Sequence, residues 1–393
     1  MKKTISVMIC FLMIIMGNFT TSAQAAISLT SVKEQFQKKV MTVEYFNMNY
    51  RLYVPEKAEE EKVPMIVFLH GAGERGDDNE SQLVHAILEP FKNPKSKFYD
   101  SVILAPQCPS YTKWVDYDWS KGNYSTEDIP ETPELKMLAK LITETSEREN
   151  VDKRRIYIIG LSMGGYGTWD MLVRHGDIFA AGVPICGGGD PSAAAKLADM
   201  PIYTFHGSAD SSVSVENTRE MVRAINDCGK NNLIYVEYEG MEHGIWNDAI
   251  TYKGDDVNPS LEDWLFSKVK PVPESVNLDK TTHRGAPGSG FKLNVDVEPE
   301  GTFATPVFES SDSAVAEVDE NGNVKLISEG HAVITVKCGE LISVCSVTVA
   351  APDADKDEPE KNYTVPIVVS AAAVVVAGAV TAAVLMKRKK IRR

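Results

Sequence analysis

Three residue types, each at the end of an apolar run, could together perform acyl transfer. Ser162 lies in "IYIIGLSMGGYG" (156–167), with Gly160 and Gly164 two positions to either side. Asp210 closes "IYTFHGSAD", and His243 follows "LIYVEYEG". A serine hydroxyl is a poor nucleophile until a neighbouring base takes its proton. His243 is a candidate for that base and can return the proton to a leaving group. Asp210 is a candidate to hold the imidazole tautomer and to stabilise the imidazolium. Glycines at 160 and 164 have no Cβ, so a strand can turn sharply into a helix with the serine at the apex. The amide of Met163 would then point at a reacting carbonyl. A second amide is expected from "LHGAGERGDDN", at Ala72 or the neighbouring Gly73. A five-residue glycine–serine pattern is short enough to arise by chance, so the surrounding elements must decide.

Those elements alternate. "MIVFLH" (65–70), "SVILAP" (101–106), "RIYIIG" (155–160), "AAGVPICG" (180–187), "PIYTFHG" (201–207) and "LIYVEYEG" (233–240) read as short strands. Several are apolar on both faces, as buried parallel strands are. "PELKMLAKLITETSEREN", "GGYGTWDMLVRHG" and "SVENTREMVRAINDCG" carry apolar residues at helical spacing. Such alternation predicts an open, doubly wound, mostly parallel sheet. "MTVEYFN" and "MNYRLYVP" are expected to form an antiparallel hairpin turning near Asn47. Functional groups in these sheets gather at the carboxyl ends of strands, where all three candidates fall. Their chain order, with gaps of 48 and 33 residues, is the Ser, Asp, His order of α/β-hydrolases.

The other histidines fit less well as bases. His70 belongs to the loop expected to supply the second amide, and His206 precedes a turn at a strand end; both read as structural. His85, His175, His283 and His331 have no suitable context. Asp190 and Asp248 do not follow the penultimate strand before His243. Tyr166 and Trp169 read as core. Trp246, three residues after His243, and Trp114, in the long segment 108–132, are candidates to line a substrate site. Glu74 and Arg75 read as structural, holding that long segment by a salt bridge or standing solvated.

A chain of 393 residues is long enough for two domains. Its net charge of −14 argues against nucleic acid, whose binding needs clustered Lys and Arg. Residues 1–25 have the charged start, short apolar run and "SAQA" end of a secretory signal peptide. The 22 uncharged residues Val365–Met386, followed by "KRKKIRR", predict a transmembrane helix with a basic cytoplasmic tail at 387–393. The expected organisation is then a catalytic domain over 26–270, an all-β sandwich over 271–350, an acidic linker at 351–364 and the membrane helix. Five cysteines outside the signal peptide are too sparse for a disulfide framework and read as mostly buried thiols. No CxxC or His/Cys cluster suggests a metal site, and no cofactor is expected.

"HGAGERGDDN", "GLSMGGYGTW", "HGSADSSVSVENTREM" and "EGMEHGIWNDA" resemble the secreted esterase and predicted-peptidase branch of the α/β-hydrolases. That branch includes feruloyl-esterase-like, acetyl-esterase-like and polyester-depolymerase-like enzymes. The resemblance spans roughly residues 35–268. Residues 272–349, notably "SSDSAVAEVDENGNVKLISEGHAVITV", resemble a group 2 bacterial immunoglobulin-like domain, a surface module. Together they imply an extracellular serine hydrolase acting on an ester substrate, with an acylated carbohydrate or similar polymer as the expected target. A serine peptidase of the same fold and a non-catalytic surface adhesin are the alternatives.

Overall fold

The computed structural model describes residues 28–351, except 45, 231, 300, 301, 303–305 and 340. The expected signal peptide, membrane helix and basic tail, and all of the acidic linker but its first residue, lie outside these. Among the described residues no helix is long and apolar enough to cross a membrane.

An eight-stranded sheet dominates. Its strands are β1 (Gln37–Val43), β2 (Phe46–Tyr53), β3 (Val63–Leu69), β4 (Val102–Pro106), β5 (Val151–Leu161), β6 (Ala181–Ile185), β7 (Ile202–Gly207) and β8 (Leu233–Tyr238). The spatial order is β1-β2-β4-β3-β5-β6-β7-β8. β3 to β8 run parallel, and β1 and β2 join antiparallel at one edge. The hairpin turns after Val43, which pairs with Phe46, and not at Asn47, which pairs with Thr42 inside the ladder. Glu44 takes the positive φ, 52°, that a tight turn needs. The alternation across 41–47 is equally compatible with either turn position, which is why the sequence misplaces it.

Every residue of β3, β4, β6 and β7 is buried. Both faces are therefore covered. One face packs against α2 (Pro133–Arg148), α3 (Met163–Arg174), α4 (Ala194–Leu197) and α5 (Val215–Asp227), through Leu138, Leu172, Leu197 and Met221. The other packs against α1 (Leu29–Gln35), α6 (Trp246–Ile250) and α7 (Leu261–Ser267), through Val32, Ile250 and Trp264. α2 starts cleanly because the Thr132 hydroxyl accepts from the Leu135 amide and Pro133 pre-sets the first turn.

From Ser275 to Val349 the described chain is β structure with a core of its own. It contains β9 (Ser275–Leu278), β10 (Thr282–Gly285), β11 (Gly290–Lys292), β12 (Val295–Glu298), β13 (Val307–Ser310), β14 (Ala316–Val318), β15 (Asn323–Leu326), β16 (Gly330–Cys338) and β17 (Leu341–Val349). Alternate residues Ala332, Ile334 and Val336 of β16, and Cys345, Val347 and Val349 of β17, fill the core. The "ENGNV" turn links β14 to β15 as an antiparallel pair, with Gly322 at φ 76°.

Candidate active site

Ser162 sits between β5 and α3 with φ 54° and ψ −118°, a strained conformation for a residue with a side chain. Its surroundings over-determine it. The Ser162 amide donates to Ile185 O at 2.8 Å, and Tyr166 N donates to Ser162 O at 3.1 Å. The flanking glycines serve close approach rather than unusual dihedrals. A Cβ on Gly160 would lie 2.2 Å from Gly164 O, and one on Gly164 would lie 2.0 Å from Leu69 O. The helix thus packs directly onto the strand backbones. Cys186, at the end of β6, also has a positive φ, 48°. Its thiol lies 3.5 Å from His243 O, bracing the histidine loop from beneath.

Ser162, His243 and Asp210 form one hydrogen-bonded line. His243 Nε2 lies 2.8 Å from Ser162 Oγ, and His243 Nδ1 lies 2.6 Å from Asp210 Oδ2. With Nδ1–H donating to the carboxylate, Nε2 is free to accept the serine proton. The other carboxylate oxygen, Asp210 Oδ1, accepts from the amides of Ser212 and Val213, each at 2.9 Å. Burial works to raise the Asp210 carboxyl, but the hydrogen bonds from His206, His243 and Val213 outweigh it and hold the group well below the usual carboxylate range. Asp210 is therefore a fixed anion facing His243. Glu242 helps close the arrangement by accepting from the Ser211 amide and hydroxyl at 3.1 and 2.9 Å.

Met163 opens α3, and Ala72 follows β3 in a short 3-10 turn, Ala72–Glu74. Among the described residues neither amide has a hydrogen-bond acceptor. They belong to the segments on either side of a close contact, since a Cβ on Gly71 would lie 3.6 Å from Ser162 Cβ. Two free N–H donors in such a place can bind a developing oxyanion.

The loop 70–76 is built on His70. Its Nδ1 lies 2.6 Å from Gly71 O, and its Nε2 accepts from the Cys108 amide at 2.9 Å. Burial pushes this imidazole down to about 4, so it stays neutral. Arg75 donates to Ala72 O and to Thr112 O, which ties the loop to segment 108–132. That link runs through carbonyls, not through a salt bridge to Glu74, whose carboxylate instead lies 3.6 Å from His85.

Trp114 is not in the substrate cleft. It is fully buried, and its Nε1–H donates to His70 O at 3.1 Å. The long segment carries aromatic residues partly because it supplies core, a use its length alone does not reveal. Trp114→Ala is expected to cost about 3–5 kcal/mol in urea unfolding. A raised KM with unchanged stability would instead place it against substrate. Trp246 is only half-buried. Its ring packs edge-on to His243 at 5.3 Å and lies 5.6 Å from His85. It lies beside the candidate base, where a bound group could meet it. Tyr166 and Trp169 are buried, and Tyr166 accepts from Asn217 at 2.8 Å.

Cys186, Asp210 and His243 offer three ligand-type atoms within 4.8 Å of one another. Asp210 and His243 are already bonded to each other, and burial pushes the Cys186 thiol far up.

A family model described as phospholipase/carboxylesterase matches residues 52–253, more than half of the chain. The chain belongs to this family. It is a serine hydrolase of the α/β-hydrolase fold with relatives among esterases. A thermostable esterase of known structure is 33% identical, covering 61% of this chain and 64% of its own, with a TM-score of 0.52. A bifunctional acetylxylan esterase/xylanase of Neocallimastix patriciarum is 26% identical over 158 residues, 37% of this hydrolase. The hydrolase spans only 24% of that relative's length.

Proposed function

We propose that this hydrolase cleaves carboxylic esters through an acyl-enzyme, with Ser162 as nucleophile, His243 as general base and then acid, and Asp210 as its orienting anion. The observation that carries this reading is the unbroken line from Ser162 Oγ through His243 to Asp210, at 2.8 and 2.6 Å. The serine attacks the ester carbonyl while His243 takes its proton. The amides of Met163 and Ala72 hold the oxyanion, each worth about 2.7–4 kcal/mol in the transition state. His243 then protonates the departing alcohol, and water repeats the cycle on the acyl-enzyme.

The proposed substrate is an acyl group on a carbohydrate or similar polymer, with Trp246 lining the site. Its support is the acetylxylan esterase among the relatives and the export and anchoring signals in the sequence. The proposed organisation keeps residues 26–270 as the catalytic domain, 271–350 as an immunoglobulin-like surface module and 351–364 as a linker. A signal peptide at 1–25 and a membrane helix at 365–386 would place the enzyme at the cell surface. Purified ectodomain should hydrolyse acetylated or feruloylated oligosaccharides in preference to peptide amides. Cleavage of peptides with no ester turnover would overturn the esterase reading.

A further inference from the structure

We infer that His206 is a positioning residue for the triad, sharing the Asp210 carboxylate with His243. The inference rests on the proposed roles of Ser162, His243 and Asp210. His206 is completely buried at the end of β7. Its Nε2 lies 3.0 Å from Val213 O and 3.1 Å from Asp210 Oδ2. Both neighbours only accept, so Nε2 carries a proton; it is hydrogen-bonded to Val213 O and has Asp210 Oδ2 within ion-pair distance. Nδ1 lies 2.7 Å from Thr218 Oγ1, whose hydroxyl also lies 2.9 Å from Gly187 O. The ring is therefore held at both ends and cannot turn away from Asp210.

Two consequences follow. Val213 donates its amide to Asp210 Oδ1 and receives His206 through its carbonyl, so the imidazole closes the loop that carries the aspartate. The same oxygen, Oδ2, faces both imidazoles, so His206 draws off part of the negative charge available to His243. Without His206, Asp210 would interact more strongly with His243 and hold it as imidazolium to higher pH. His243 would then be available as a base only in more alkaline solution.

Other ionisable groups surround the pair. Cys186 approaches from β6 and stays a neutral thiol. Glu237 of β8 acts on His206 and is itself bound by Arg219 of α5 at 2.5 Å. Tyr166 of α3 and Glu242 of the histidine loop complete the set, and burial pushes the Tyr166 phenol far up. Of these, the Cys186 thiol also hydrogen-bonds the Asp210 carboxylate, as a neutral donor, while His206 is the second imidazole at Oδ2.

The test compares the full chain with His206→Phe, which keeps the ring but no donor, and His206→Gln, which keeps an N–H. The first readout is the proton NMR signal of the His243–Asp210 hydrogen bond, which does not depend on catalysis. It should move further downfield in His206→Phe and stay near its original position in His206→Gln. The second is the rate of fluorophosphonate labelling against pH. In His206→Phe the acid limb should move up by about one unit, a roughly tenfold loss at pH 6 that recovers by pH 9. A signal and an acid limb unchanged in His206→Phe would overturn the inference. So would a loss uniform across pH, which is what a merely structural role produces. If His206→Phe fails to fold, His206→Leu, which also lacks a donor, takes its place, and a signal and acid limb unchanged there overturn the inference. A parent chain that never labels would refute the proposed function, while the NMR comparison would still read the coupling of the two histidines.

Discussion

Asp210→Asn is expected to lower ester hydrolysis about 10⁴-fold. Asp210 Oδ1 accepts from two loop amides, so the asparagine oxygen must take that place. Its NH2 then faces His243 Nδ1, where the carboxylate had accepted a proton. His243 must accept at Nδ1 and carry its proton at Nε2, pointing at Ser162. A base in that tautomer cannot take the serine proton, so the loss falls on kcat rather than KM. The same NH2 confronts the His206 N–H, which adds a stability cost of about 1–3 kcal/mol for an unsatisfied buried donor. Steady-state kinetics and thermal unfolding separate the two effects. Loss of less than about tenfold in kcat would remove Asp210 from the proposed relay.

Gly164→Ala is expected to damage stability and activity together. The added Cβ would sit 2.0 Å from Leu69 O and 2.7 Å from His70 O. These are backbone atoms and cannot swing aside, so α3 must lift from β3 or the 70–76 loop must shift. Overpacking of this kind costs about 1–3 kcal/mol, and more where backbone must move. The displacement also separates Met163 and Ala72, the two candidate oxyanion donors, and a 1 Å misplacement can cost about a hundredfold in rate. Gly73→Ala is the control, since its Cβ would meet nothing within 4 Å. Denaturant unfolding should show a clear loss for Gly164→Ala and little for Gly73→Ala. Equal stability of the two variants would contradict the close-packed elbow.

The sheet was legible because buried parallel strands write themselves as short, wholly apolar runs separated by helical periodicity. β3, β4 and β6 show this, β7 departs from it at Thr204 and His206, and each of the four lies within two residues of its expected limits. Ser162, Asp210 and His243 could be singled out because each follows such a run, and the fold brings strand ends to one edge. The hairpin turn was not legible, because alternation alone does not mark where two adjacent strands part. A long loop with aromatic residues looks exposed, so the sequence points Trp114 at substrate. Its burial follows from tertiary contacts, the bond to His70 O and the packing of Gly167 against its side chain. His206 was legible only as structural, since nothing local indicates that its ring faces a carboxylate four residues on. The pairing of Glu74 with His85 was likewise hidden, as it joins two surface loops with no shared pattern.

The central claim is that Ser162 is a nucleophile activated by His243 and Asp210. Its most direct measurement is labelling of the purified chain with a fluorophosphonate probe, followed by peptide mass mapping. One phosphonate should appear on the peptide containing Ser162, and Ser162→Ala and His243→Ala should each abolish it. No labelling of the parent chain, or labelling that persists in Ser162→Ala, would contradict the account.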